Sequence, residues 1–299
     1  MAIPERQLET WSYQGSKAQS ASTYETIKRV LDDPAAPYHR QCYYRIFLQG
    51  SYGNDTNIYS DSDVDVAICL TSTYYHDTSD LDATARQRFH ADTGSAAYSY
   101  FDFKKDVLAW LMHRFGTGVK AGKKAIFVPG NENRRDADVL VCAQHRSYSY
   151  YDTEYSNHYR EGVTFWTSSG DQIVNYPKQH LENSTTKHQA TSGRFKPSIR
   201  VIKNMRNTML DRGLIKDGLA PSYFLEGMIS NVPTQNFVSS RQQTFENYMN
   251  WLQTAPTGDM TCANGIHYLL RDGHSVCWNV ADYNTFRARA AQFWNSPQY

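Results

Sequence analysis

Residues 43–70 read YYRIFLQGSYGNDTNIYSDSDVDVAICL, and the rest of the chain is best read outward from them. An apolar run, Tyr44-Arg45-Ile46-Phe47-Leu48, ends at Gln49-Gly50-Ser51. A polar loop follows, and then a second apolar strand carries Asp63 and Asp65 between Val64, Val66 and Ile68. Successive strand side chains point to opposite faces, so Asp63 and Asp65 share one face while Val64 and Val66 point into a core. Adjacent carboxylates repel unless a cation lies between them, and hard divalent cations such as Mg²⁺ take oxygen ligands of this kind. Gly50-Ser51 opens a tight turn whose backbone N–H groups and hydroxyl can meet phosphate oxygens. A lone Asp-x-Asp or Gly-Ser is common. An apolar strand, Gly-Ser, a gap and Asp-Val-Asp-Val in that order is not, because polar side chains set among β-branched core residues are costly to bury. A phosphate cradle one loop ahead of a metal-binding Asp-x-Asp points to nucleotidyl transfer.

The composition sets bounds on this. The chain has 299 residues, 40% hydrophobic and 20% charged, which suits one large globular domain or two ordinary ones. No apolar run approaches the length of a membrane span. The N-terminus, MAIPERQLETWSYQGS, lacks the apolar centre of a signal peptide, so a cytoplasmic location is expected. Five cysteines, two of them (Cys69 and Cys142) inside apolar strands, fit reduced packed thiols and not a disulfide framework. Cys262, His267, His274 and Cys277 offer two sulfurs and two nitrogens to zinc, but their spacing is not that of a standard finger, and Val276 and Trp278 around Cys277 suggest packing. A net charge of +1 gives no global sign of a nucleic-acid binder.

Periodicity divides the chain near Pro177. Residues 16–31 read as a helix closed by Asp32-Asp33-Pro34. Residues 71–99 show no clear period and read as loop and short helix. Phe103, Val107, Trp110 and Leu111 mark a helix ending at Gly116. Residues 125–128 and 137–142 read as strands. The tyrosine-rich stretch Tyr148, Tyr150, Tyr151, Tyr155 and Tyr159 reads as an irregular segment, with base stacking as the alternative. Residues 162–167 and 172–176 form a hairpin. The second half is helical: Ile199, Ile202, Met205 and Met209 make an apolar face with Lys196, Arg200 and Lys203 on the opposite side, and Pro221 opens another helix. The expected domains are 1–177 and 178–299.

These residues resemble the polymerase-β-type nucleotidyltransferase signature: apolar residue, Gly-Ser, spacer, Asp-x-Asp. The resemblance implies a third carboxylate on a later strand. Asp138 is preferred over Asp136 because the apolar run Val139-Leu140-Val141 continues directly from it. In the second half, residues 200–206 (RVIKNMR) and Pro221-Ser222-Tyr223-Phe224-Leu225-Glu226 resemble the helical domain of the oligoadenylate synthase and cyclic GMP–AMP synthase group. The whole pattern, including residues 175–180 (NYPKQH) and Lys187, is similar to the bacterial CD-NTases of anti-phage CBASS systems.

The resemblance implies an α+β fold: a polymerase-β-like core with a mixed sheet, followed by a C-terminal helical domain. It implies that Asp63, Asp65 and Asp138 bind two Mg²⁺ ions, with Mn²⁺ as a substitute. It implies that Gln49, Gly50 and Ser51 form the phosphate turn, that Lys203, Ser222 and Lys187 hold the donor triphosphate, and that Tyr223 stacks on a base. The implied activity is template-independent synthesis of a cyclic di- or trinucleotide from ATP and GTP or another nucleoside triphosphate. A downstream effector would read the diffusible product. A linear oligoadenylate or terminal transferase shares the chemistry, and a catalytically silent nucleotide sensor is the reading from another class. The zinc-binding insertion and basic platform of the animal DNA sensor are not recognisable here, so no double-stranded DNA requirement is expected.

Overall fold

The computed structural model describes residues 2–15, 18–59 and 63–296. In chain order the elements of the first half are α1 (Glu5–Ser12), α2 (Ala18–Leu31), β1 (Tyr44–Leu48), α3 (Gly50–Gly53), β2 (Val64–Asp77), α4 (Ala83–Asp92), α5 (Tyr100–Phe115), β3 (Lys120–Ala121), β4 (Ile126–Val128), β5 (Ala137–Thr153), β6 (Ser156–Trp166) and β7 (Gln172–Asn175). The second half contributes α6 (Pro177–Ala190), α7 (Phe195–Asp211), α8 (Ser222–Asn231), α9 (Arg241–Thr254) and α10 (Val280–Asn295). This is the expected α+β class. No helix among the described residues is long and apolar enough to cross a membrane.

The chain divides into two compact units that do not follow the expected split. The sheet unit is Ala18–Gln49 with Ser62–Pro177; the helical unit is Met1–Lys17, Gly50–Asp61 and Lys178–Tyr299. Two segments expected in the first domain therefore belong with the second. For the N-terminal one the reason is visible. Leu8 and Trp11 of α1 are buried in the helical core, and Glu5 accepts hydrogen bonds from the Arg241 and Gln242 backbone N–H groups and the Ser240 hydroxyl, capping α9.

In the sheet unit, seven strands among the described residues form one mixed sheet in which β1, β2, β5, β4 and β3 are successive neighbours, with β6 and β7 continuing from β5. β1 and β2 are antiparallel, and β2 and β5 are parallel. Helices α2 and α5 pack on β2 and β5, burying Ile27, Leu31, Phe103 and Leu111. The Trp110 indole donates to Val30 O at 2.7 Å, locking the two helices together. Helix α5 ends at Gly116, whose φ of 84° suits glycine. Ser16, the expected first residue of α2, lies outside the described residues.

Two regions read as irregular are strand. β2 runs on to Asp77 past a register shift between Leu70 and Tyr74, and the tyrosine-rich stretch forms the far ends of β5 and β6. The cause is a satellite core: Tyr148 and Tyr151 pack with Phe89 of α4 and Leu81, while Tyr150 faces outward. Tyr148 and Tyr151 are buried while Tyr150, Tyr155 and Tyr159 are exposed, and the register shift between Tyr148 and Tyr150 interrupts the simple alternation of a strand.

In the helical unit, α1, α7, α8, α9 and α10 surround one core that contains Ile199, Met205, Leu225, Phe245 and Phe286. The expected apolar face of α7 lies there. Its basic side is not exposed: Lys196, Arg200 and Lys203 are all buried, Lys203 completely.

Candidate active site

The carboxylates of the sheet unit are placed by register. β2 and β5 run parallel with Asp65 opposite Asp138 and Val64 opposite Ala137. Residues opposite each other on paired strands project to the same face, and neighbouring strands lie about 4.8 Å apart. Asp65 and Asp138 are therefore side by side. Asp63, two residues before Asp65 along the chain, is close enough that its charge raises the carboxyl pKa of Asp138. Burial is the larger cause of that rise, and Asp136 adds to it. On the opposite face Val64, Val66 and Val139 are fully buried, and their packing holds the strands in register.

Asp136 is occupied otherwise. Its carboxylate accepts from the Gly130 N–H at 2.5 Å, and its carbonyl accepts from Val64 N–H at 3.0 Å. It closes the β4–β5 turn, while Asp138 sits one strand position beside Asp65. Asp65 and Asp138 on paired strands, with Asp63 just ahead of β2, are half-buried oxygen donors suited to a hard divalent ion. They do not form a closed cage: among the described residues no three His, Cys, Asp or Glu groups already converge on an ion-sized point.

The phosphate-turn candidates stand at a different point of the chain's path. Gln49 closes the β1 end of the sheet unit, its N–H donating to Asp65 O at 3.0 Å. Gly50 follows with φ of 64°, a left-handed conformation that costs glycine little. In the helical unit, residues 50–57 are held from several sides. Thr56 N–H donates to Ser51 O at 2.8 Å, and Asn54 N–H to Gly50 O at 3.1 Å. Asp55, with φ of 56°, is a strained non-glycine position. Lys196 pairs with its carboxylate at 3.3 Å, and Arg200 donates to its carbonyl at 2.6 Å. Burial lowers the Arg200 pKa to about 10. Lys203 donates to Thr56 O at 3.0 Å.

The remaining candidates are spread through the helical unit. The Ser222 hydroxyl accepts from Arg206 at 3.2 Å. The Tyr223 hydroxyl accepts from Asn264 at 3.0 Å, and its ring lies 5.4 Å from that of His180. Lys187 is turned elsewhere: its ammonium donates to Ser230 O and Val232 O, both at 2.5 Å, closing the C-terminal end of α8. Desolvation lowers its pKa to about 8. The structure thus gives Lys187 a bracing duty between α6 and α8 where a phosphate contact was expected. Of the zinc candidates, Cys262 directs its thiol to Tyr268 O and Val276 O, and burial raises its pKa to about 12, which disfavours the thiolate that zinc takes.

The comparisons with known proteins span both units. Residues 182–295 match the family model of the cGAS/DncV-like nucleotidyltransferase C-terminal helical domain. The chain is 39% identical over 267 residues, covering 89% of it and 88% of the relative, to the cyclic UMP-AMP synthase of Rhodothermus marinus. The chain belongs to the CD-NTase family. Like its relatives, this CD-NTase is a nucleotidyltransferase whose substrates are nucleoside triphosphates. It is also 32% identical over 301 residues to the cyclic nucleotide synthase CdnE01 of Staphylococcus haemolyticus, covering 99% of each chain. Its fold is similar to the solved structure of Rhodothermus marinus CdnE c-UMP-AMP synthase with Apcpp and Upnpp: TM-score 0.87, 36% identity, 99% of this chain and 98% of that one.

Sequence reasoning gave no role to Thr56 or Glu226, two groups central to the CD-NTase helical unit. Glu226 is buried, and its carboxylate accepts from His180 Nε2 at 2.7 Å and from the Thr56 hydroxyl at 2.5 Å. The available signal was a lone glutamate in the middle of an apolar helix, FLEGMI, where a charge needs buried partners.

Proposed function

We propose that this CD-NTase condenses two or three nucleoside triphosphates into a cyclic second messenger that serves anti-phage defence through an effector reading the product. The observation that carries the reading is the register of Asp65 against Asp138, with Asp63 beside them, in a chain similar over nearly its whole length to cyclic nucleotide synthases. ATP and UTP are the proposed substrate pair, from the likeness to the Rhodothermus marinus synthase.

In the proposed reaction a ribose hydroxyl of one nucleotide attacks the α-phosphorus of the other. The new O–P bond forms as the bond to the pyrophosphate oxygen breaks, and pyrophosphate leaves with its electron pair. Asp63, Asp65 and Asp138 would hold divalent ions at the reacting phosphorus. Mg²⁺, when bound, would neutralise phosphate oxygens and lower the pKa of the attacking hydroxyl. The backbone N–H groups and hydroxyl at Gly50-Ser51 and the Ser222 hydroxyl would take the β- and γ-phosphates, and Tyr223 would stack on a base. Lys203, completely buried on Thr56 O, would act through the position of the turn and the charge it places beneath it. A second transfer closes the ring when the linear intermediate presents its own triphosphate as donor. The same turn serves both transfers.

The stoichiometry tests the reading. Ring closure releases one pyrophosphate per nucleotide consumed, whereas a short linear product keeps one triphosphate end. A ratio clearly below one in template-free reactions with Mg²⁺ would favour the linear alternative.

A further inference from the structure

The loop after the phosphate turn is fastened at one residue. Thr56 is fully buried and each of its polar atoms is used. Its N–H donates to Ser51 O at 2.8 Å, its hydroxyl donates to Glu226 Oε1 at 2.5 Å, and its carbonyl accepts from Lys203 Nζ at 3.0 Å. One residue thus connects the turn to α7 and to α8. The carboxylate that receives the hydroxyl is itself fixed, by His180 Nε2 at 2.7 Å and by Asn54 Nδ2 at 3.4 Å. The neighbour Asp55 keeps its positive φ because Lys196, Arg200 and Gln14 hold it.

Such an arrangement is costly unless it does something. Buried charges need partners to offset their desolvation, and a non-glycine residue at positive φ stores strain that its surroundings must hold. Gly50 and Gly53 would otherwise leave the turn with wide conformational freedom. Fixing a turn before its ligand arrives removes an ordering cost from binding.

We propose that Thr56, clamped by Glu226, is a positioning residue for the donor triphosphate: it holds the Gly50-Ser51 turn in its binding conformation without touching substrate. This rests on the reading of Gly50-Ser51 as the triphosphate turn. Only the hydroxyl's bond to Glu226 can be removed without changing shape, and Thr56→Val does that. Thr56→Ser keeps the hydroxyl and loses only a methyl group.

The test compares the full-length chain with both variants by two measurements. Hydrogen exchange of the residue 50–57 amides reports the turn directly, with no need for activity. Titration calorimetry with an ATP analogue bridged by methylene between the α- and β-phosphorus, with Mg²⁺, reports the ligand. Thr56→Val should speed exchange in residues 50–57 at least tenfold, weaken the analogue about tenfold and raise KM more than it lowers kcat. Thr56→Ser should return exchange and affinity to within about twofold of the parent. Unchanged exchange and affinity in Thr56→Val overturns the clamp. Faster exchange with unchanged affinity shows that the turn is not where the triphosphate binds, which overturns the site reading and the proposal with it. A parent chain that binds no analogue does the same. Should Thr56→Val fail to fold, Glu226→Gln weakens the same bond from the other side, and unchanged exchange in that variant also overturns the clamp.

Discussion

Asp136 and Asp138 lie two residues apart at the start of β5, yet their replacement should have opposite consequences. Asp138 stands opposite Asp65, its charge raised in energy by burial and by Asp63 and Asp136. Asp136 caps the Gly130 N–H at 2.5 Å. Asp138→Asn keeps the shape and removes one charge from the proposed metal set. Loss of a preorganised charge-stabilising group costs roughly 3–4 kcal/mol at the transition state, so turnover should fall by about 10³. Without added metal the variant should melt higher than the parent, because the repulsion with Asp63 and Asp136 is relieved. Addition of Mg²⁺ should then stabilise the parent and leave Asp138→Asn nearly unmoved. Asp136→Ala should do the reverse. It strands a backbone donor that had a charged acceptor, a loss of about 1.5–3 kcal/mol, so its melting temperature should drop by several degrees while turnover stays within about tenfold. Calorimetric melting with and without Mg²⁺, alongside initial rates of pyrophosphate release, reads all four quantities. An inactive Asp136→Ala beside an active Asp138→Asn would refute the assignment of the third ligand. Asp63→Asn and Asp65→Asn should match Asp138→Asn in both readouts.

Other outcomes follow from the helical unit and from charge. Ser222→Ala, which removes one neutral hydroxyl, should weaken an ATP analogue about fivefold by calorimetry, and Lys203→Ala should weaken it further and speed exchange in residues 50–57. For Glu226, burial pushes the carboxyl pKa up, but the His180 bond, the charges of His180 and Lys203 and the Thr56 hydroxyl outweigh it and hold the pKa below the ordinary glutamate value. A depressed acid contributes stability that is present above its unfolded pKa and lost as pH falls through the folded one. The stability gap between parent and Glu226→Gln, read from urea midpoints, should therefore be full at pH 6 and shrink below about pH 4.5; a gap independent of pH would contradict the buried ion pairing. Purified, nuclease-treated protein should be active without double-stranded DNA, given a net charge of +1, and silence relieved by DNA would contradict this.

The carboxylates were legible because two independent signals coincide on them. Strand alternation puts Asp63 and Asp65 on one face, and the apolar run after Asp138 puts it inside a strand. The ends of β2 and β5 were not legible, since Thr71-Ser72-Thr73 and the tyrosines carry no strong hydrophobic alternation, and their burial depends on α4, which packs on them from elsewhere in the unit. The surroundings of the basic side of α7 were not legible for a related reason. Helical periodicity divides a helix into apolar and charged sides, but it does not say that the charged side meets Asp55 and Thr56, about 140 residues earlier in the chain. Thr56 itself carries no local signal at all, because its importance lies entirely in three long- or medium-range hydrogen bonds.

The central claim is that this chain closes a ring. Template-free incubation with ATP, GTP, CTP and UTP and Mg²⁺, followed by phosphatase and mass spectrometry of the product, measures that directly. A phosphatase-resistant product with the mass of a cyclic di- or trinucleotide, absent in Asp65→Asn, is the predicted result. Products that lose every terminal phosphate and leave only linear oligonucleotides would contradict it.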